Sequence, residues 1–230
     1  MSASPHPVIV HWGEELVDST PETLRSLVVG ARPQRVSGGL DETPRLGLVA
    51  TPAAGWLGTP GAEGHRNGSG GSLRLEVAGV QANGHRATIS LIDVEARIAA
   101  DVELRVGPGG LFHQRILLRN DGNSSYTLQA LQAAFPVPWD ATELLDTTGR
   151  HLRERSPQRH GFTFGTHARE SRRGRPGADS TLLLAAGRPG FGFEHGRVHG
   201  IHVAWSGNHR VFAERSTTGD AFLAGGELFL

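Results

Sequence analysis

A chain of 230 residues, 37% apolar and 20% charged with a formal net charge of zero, is sized for one globular domain with a sizeable core. It carries no global basic field for nucleic acid or an anionic membrane surface, so neither is expected as a partner. There is no Cys, and all 23 basic residues are Arg, which excludes disulfides, thiolate metal sites, thiol nucleophiles, Schiff-base lysines and P-loop lysines.

Met1 to Pro7 lacks a basic leader segment, and Val8-Ile9-Val10 is far shorter than the apolar core of a signal peptide, about 7–15 residues. No segment approaches the ~18 consecutive apolar residues of a membrane span. With the absence of Cys, this makes the cytoplasm the expected location. Pro21 to Gly30 reads as a short helix, with Ser19 or Thr20 as its cap, Pro21 and Glu22 in its first turn and Gly30 as its stop.

From there the apolar spacing has period two, the signature of half-buried strands. Leu73, Leu75 and Val77 alternate with Arg74 and Glu76; Ala87 to Val94 and Ile98 to Val106 follow. Leu111 to Arg119 runs into Asn120-Asp121-Gly122-Asn123, and Tyr126 to Phe135 returns, which reads as a hairpin because the Asp-Gly step supplies positive-φ positions. Thr181 to Ala186, Arg197 to Trp205, Arg210 to Glu214 and Ala221 to Leu230 read as later strands. Thr51 to Ser72 and Thr147 to Ser180 lack a strand pattern, and long irregular segments of this kind tend to carry function. The fold class is therefore all-β, a large antiparallel β-sandwich with one or two short helices.

The ordinary catalytic motifs are missing. Gly187-Arg188-Pro189-Gly190-Phe191-Gly192 is Gly-rich but carries a Pro and leads into a β-like segment, which makes it a turn and not a nucleotide loop. His195, His199, His202 and His209 suggest a metal, but His199 and His202 are an odd number of residues apart on one strand and point to opposite faces, so no metal site is expected. No Ser sits in a Gly-x-Ser-x-Gly elbow. Arg169 to Pro176 reads as a solvated or interface loop whose acidic neighbours pair off with it. Asn67-Gly68-Ser69 and Asn123-Ser124-Ser125 match the glycosylation triplet but read as turns.

Several strings remain: His11-Trp12-Gly13; Gly55-Trp56-Leu57-Gly58-Thr59-Pro60-Gly61 leading to Gly64-His65-Arg66-Asn67-Gly68; His151 to His160; Gly174-Arg175-Pro176-Gly177; Ala186 to Phe193; and Ala204-Trp205-Ser206-Gly207-Asn208-His209-Arg210. Together and in this order they resemble the N-terminal β-sandwich domain of glycoside hydrolase family 36 α-galactosidases of the actinobacterial type, over nearly the whole chain. The resemblance implies an enzyme of three parts: this sandwich, a (β/α)8 catalytic barrel and a small C-terminal β domain. The whole enzyme would hydrolyse terminal α-galactosides such as melibiose- or raffinose-type sugars with retention, using two Asp residues of the barrel in Lys- and Cys-containing motifs. With neither Lys nor Cys present, those motifs are absent. The 230 residues are thus expected to be one sandwich domain, incomplete at its C-terminus and without the barrel, with no catalytic residue, cofactor or metal of its own.

The resemblance further implies a part in homo-oligomer assembly and a loop at the rim of the sugar site. The positions that match that loop are Trp56, His65 and Arg66, where an indole packs on a pyranose face and Arg and His donate to hydroxyls. Set against this are a loop-anchoring role for Trp56 and an intramolecular carboxylate partner for Arg66. Trp12, Trp139 and Trp205 read as sheet-packing residues, with Trp205 to Arg210 as architecture or domain interface. The alternative to the α-galactosidase domain is a stand-alone carbohydrate-binding or assembly module. Phe222 to Leu230, an apolar strand with no polar stop, favours the former, because an independent domain usually protects such an edge.

Overall fold

The computed structural model describes residues 6–17, 19–32, 44–217 and 220–229. One helix, α1 (Pro21–Gly30), lies where its signals place it. Thr20 is its cap, its hydroxyl accepting from the Thr23 N–H, and Pro21 opens the first turn, where its missing N–H costs nothing.

Among the described residues, thirteen strands form three antiparallel sheets. They are β1 (Ala62–His65), β2 (Glu76–Asn83), β3 (Arg86–Asp93), β4 (Ile98–Val106), β5 (Phe112–Asn120), β6 (Thr127–Pro136), β7 (Glu143–Arg150), β8 (Arg153–Gly161), β9 (Gly165–Ser171), β10 (Leu183–Gly187), β11 (Val198–His202), β12 (His209–Arg215) and β13 (Ala221–Leu228). The central five-stranded sheet has the order β1-β6-β13-β12-β9; the two four-stranded sheets run β11-β10-β7-β8 and β2-β3-β4-β5. The all-β sandwich is as the sequence pattern implies.

Registers decide how the layers stack. Leu131 lies opposite both Ala62 and Glu227, Leu223 opposite both Phe135 and Ala213, so Ala62, Leu131, Leu223 and Ala213 share one face of the central sheet. Half of that face packs on Leu144, Leu184, Ala186 and Ile201 of the β7–β11 sheet. The other half packs on Ile89, Leu91, Ala100 and Val102 of the β2–β5 sheet, together with Leu73 and Leu75. Gly225 faces the first seam, where a β-carbon would strike the Val203 side chain, so the sheets close to this spacing only over a glycine. The opposite face of the central sheet presents Ala134, Phe212, Phe222 and Ala224 to Leu46, Ala50 and Trp56 of the segment before β1.

The structure corrects four sequence expectations. Leu111–Arg119 and Tyr126–Phe135 do not form a hairpin: β5 pairs with β4, and β6 pairs with β1 and β13. The Asn120–Asn123 turn passes the chain between sheets, and Asn120 closes it by accepting from the Gly122 N–H and donating to Ser124 O. The stretch Thr147–Ser180 is largely stranded; β8 and β9 lie at sheet edges and alternate polar with polar, so no apolar period marks them. Thr51–Ser72 holds β1, and the strand after Leu75 is β2, exposed along its whole length. Finally, Trp139 and Trp205 are 53% and 44% exposed and Trp56 is the fully buried tryptophan at 4%, whereas Trp12, half-buried, packs against the core between the sheets as its reading implies. Leu230 falls outside the described residues.

Phe222 supports the covering segment from below, with ring centroids 5.6 Å from Trp56 and 6.0 Å from Phe212. Phe222→Ala is expected to cost about 3–5 kcal/mol by emptying that layer. Urea denaturation checks this; a loss below about 1 kcal/mol would contradict the packing.

Candidate functional site

Residues 44–61 cross the outer face of the central sheet, where two sets of contacts and one charge–charge attraction hold them. The Trp56 ring packs edge-on against Phe222, and its N–H donates to Thr59 O at 3.0 Å. Glu214, buried on β12, accepts from the Thr59 N–H at 3.1 Å, from the Thr59 hydroxyl, and from the Thr166 hydroxyl at 3.0 Å. A buried carboxylate is tolerated when several donors converge on it, as here. Gly58 makes the approach possible, since a β-carbon there would meet both Glu214 Oε1 and the Trp56 ring.

The attraction, between Arg45 and Asp220, acts where the segment begins. Burial pushes the Asp220 carboxyl up to about 6, against the opposing pull of the Arg45 guanidinium. Burial likewise pushes Arg45 below the usual guanidinium range, with Asp220 countering. One oxygen of Asp220, Oδ2, is buried without a hydrogen-bond partner, which accounts for the cost of ionising it.

His65 closes β1 just after a bulge at Glu63/Gly64, and its Nδ1 accepts from the Gly68 N–H at 3.0 Å across the tight turn joining Arg66 to Ser69. A neutral ring that accepts at Nδ1 donates at Nε2. Arg66 spends its fork inside the protein. Nε and Nη2 donate to Ala96 O at 3.3 and 3.0 Å, Nη2 also to Asn120 Oδ1, and Nη1 to Ser124 O, while the guanidinium sits 5.7 Å from the Tyr126 ring centre. Its partners are neutral oxygens and not a carboxylate. The fork thereby fixes the corner between β5 and β6, a role a single ammonium fits poorly. Trp56 and Arg66 are not brought together: among the described residues they have no partner in common, one anchoring the covering segment and the other the β5–β6 corner.

A groove of about 960 Å3 opens where the two outer sheets fail to meet over the central one. Phe112 and Phe135 meet edge to face across it at 5.6 Å, and Trp205, Arg105, Glu103 and Glu227 line it further out. Gln114 donates to Leu48 O at 3.1 Å, yet its carbonyl oxygen is buried without a partner. Aromatic faces beside guanidinium, carboxylate and amide groups suit a polyhydroxylated or polar peptide ligand. His202 lines this groove, whereas His199 packs on Trp12, consistent with opposite faces of β11. Sequence reasoning did not reach the groove, because its walls come from three sheets whose stacking order the pattern does not encode.

Known proteins share both sequence and fold. The family model described as the glycosyl hydrolase family 36 N-terminal domain matches residues 5–230. An α-galactosidase of Escherichia coli is 32% identical over 226 residues, which is 98% of this chain and 31% of that protein. The chain thus spans about a third of the length of this curated relative. The GH36 α-galactosidase AgaA of Geobacillus stearothermophilus in complex with raffinose superposes with a TM-score of 0.77 at 17% identity, covering 97% of this chain and 34% of that one. The α-galactosidase of Lactobacillus brevis gives 0.63 at 20% identity, covering 74% and 26%.

The raised Asp220 carboxyl makes stability depend on pH. The folded form holds its proton up to about pH 6, whereas an unfolded Asp releases it near 3.9. The stabilisation is therefore fully present below about pH 4 and lost as pH rises through about 6. Asp220→Asn is expected to be more stable than the parent at pH 7–8, by up to about 3 kcal/mol, and no different near pH 4. Thermal melts across that range check it; parallel curves for the two chains would refute the assignment.

Proposed function

Because the chain belongs to the family of glycosyl hydrolase family 36 N-terminal domains, we propose that it serves as the non-catalytic front domain of an α-galactosidase. In the whole enzyme a separate barrel hydrolyses terminal α-galactosides of the raffinose type, and this domain contributes to assembly and to the rim of the sugar site. The observation that carries the reading is the joint extent of the match: nearly all of this chain against about a third of the Escherichia coli α-galactosidase. The composition agrees, since a chain with neither Lys nor Cys cannot contain the family's Lys- and Cys-bearing catalytic motifs.

Two features support the assembly role. Trp139 and Phe164 are exposed and lie in contact at 6.2 Å, with the Arg215 guanidinium stacked 4.4 Å from the Trp139 ring. A rigid exposed aromatic pair of this kind is typical of a contact surface. Trp205, Leu57 and Phe193 are exposed as well. For the rim, His65 is the member of the predicted trio with a ring donor to offer a hydroxyl. Trp56 and Arg66 act as positioning residues, holding the segment and the corner on either side of it.

The purified chain is expected not to hydrolyse p-nitrophenyl α-galactoside, and turnover above blank would sink the non-catalytic reading. It is expected to self-associate in sedimentation velocity, and a monodisperse monomer at tens of micromolar would count against the assembly role. Calorimetry with raffinose separates this reading from the stand-alone carbohydrate module: the module binds the sugar by itself, the front domain does not.

A further inference from the structure

Where the edge strand of one sheet meets the edge strand of another, three side chains converge from three consecutive strands. Asp146 comes from β7, His160 from β8 and His167 from β9. β8 ends the four-stranded sheet and β9 ends the five-stranded one, so the seam between them has no ladder of backbone hydrogen bonds. The Asp146 carboxylate is wholly buried, while the two imidazoles are about a third exposed. The rings stack with centroids 4.3 Å apart at 36°, and one ligand atom from each of the three residues lies within 4.8 Å of the others.

The hydrogen bonding is lopsided. Asp146 Oδ2 takes both short bonds, from His167 Nε2 at 2.7 Å and Arg169 Nε at 2.8 Å. Oδ1 has only Arg169 Nη2 at 3.3 Å, and His160 Nε2 stands off at 3.6 Å. His160 Nε2 is consequently buried with no hydrogen-bond partner. A polar atom in that position is normally satisfied, so the orphan marks a place for something that a nitrogen lone pair can hold.

We propose that Asp146, His160 and His167 form a binding site for a late first-row divalent metal ion, Zn2+ being the simplest, which ties the two sheets together at their seam. Two imidazole nitrogens and one carboxylate oxygen are a donor set this class of ion prefers. Bonds of about 2.0–2.2 Å require ligand atoms roughly 3.3 Å apart, which small side-chain rotations reach from the present spacing. Asp146 ligates through Oδ1 and keeps Oδ2 on Arg169, which becomes the outer partner that fixes the carboxylate's orientation, while His167 gives up its Nε2 hydrogen bond to Oδ2 and carries its proton on Nδ1, freeing the Nε2 lone pair for the ion. The exposed edges of the imidazoles provide the way in, and water completes the coordination.

The test uses the 230-residue chain stripped with a chelator, then titrated with ZnCl2 by calorimetry and with Co2+ by visible absorption. A single site per chain is expected, with Co2+ bands of low-coordinate His and carboxylate ligation and a higher melting temperature in Zn2+. His160→Gln is expected to weaken Zn2+ binding by at least about 100-fold while the metal-free chain still folds, since the substitution breaks no hydrogen bond of His160 Nε2 and removes only the ring's stacking on His167. His167→Gln does the same where it folds, and His199→Gln, on another strand, retains full affinity. Absence of saturable binding at micromolar Zn2+ overturns the proposal, as does unchanged affinity in His160→Gln, which would place the ion on other histidines.

Discussion

The structure depends on burying both faces of β12 and β13. Val211, Phe212 and Ala213 are buried in succession, as are Phe222, Leu223 and Ala224, so neither strand has a side it can show to water. Such strands need a layer above and a layer below. The upper layer is made of two separate sheets with a groove between them, and the lower one of the irregular residues 44–61. At roughly 25 cal/mol per Å2 of apolar surface, each aromatic ring in this sandwich contributes a few kcal/mol, which is why an irregular segment can serve as a layer when it brings Trp56 to Phe222 and Phe212.

Using loops and sheet seams as layers brings polar groups into the interior, and their satisfaction shapes the rest. Backbone that is not in a ladder must find other partners. Glu214 supplies them for Thr59, and Arg66 for the carbonyls of Ala96 and Ser124. Arg215 is treated in the same way, its fork donating to the Trp139 and Ala141 carbonyls between two aromatic rings. The chain uses Arg wherever a buried cation is required. A planar fork bonds several carbonyls at once and stacks on rings, which an ammonium does poorly. The Arg-only composition, whatever its genomic origin, is used structurally at Arg66, Arg169 and Arg215.

What the sequence made legible follows from the same layering. Strands with one buried face, such as β3 and β4, show period two and lie within a residue of where the pattern puts them, and Thr20-Pro21 marks the helix start. β12 and β13 read as strands because a run of apolar residues bounded by turns has few other uses. The edge strands β8 and β9 were hidden because their inward positions carry His160, His167 and Arg169, polar side chains that look like a solvated loop until their partner Asp146 is placed opposite. The Asn120–Asn123 turn misled for a related reason. Asp-Gly chemistry fixes a local reversal but does not specify which strand lies alongside, and here a turn braced by Arg66 from 54 residues away sends the chain into another sheet.

The tryptophans show the limit most directly. Trp56 sits among Gly, Thr and Pro, a setting that suggests an exposed loop, yet it is the buried one; Trp139 and Trp205, flanked by strand-like sequence, are open to solvent. Burial belongs to the layer and not to the neighbouring letters. A glycine-rich segment can lie flat on a sheet because its backbone approaches closely, as Gly58 does beside Glu214, and the one large side chain it carries then fills the remaining depth. The residue that draws the eye as a ligand contact is thus the one the segment needs in order to exist as a layer.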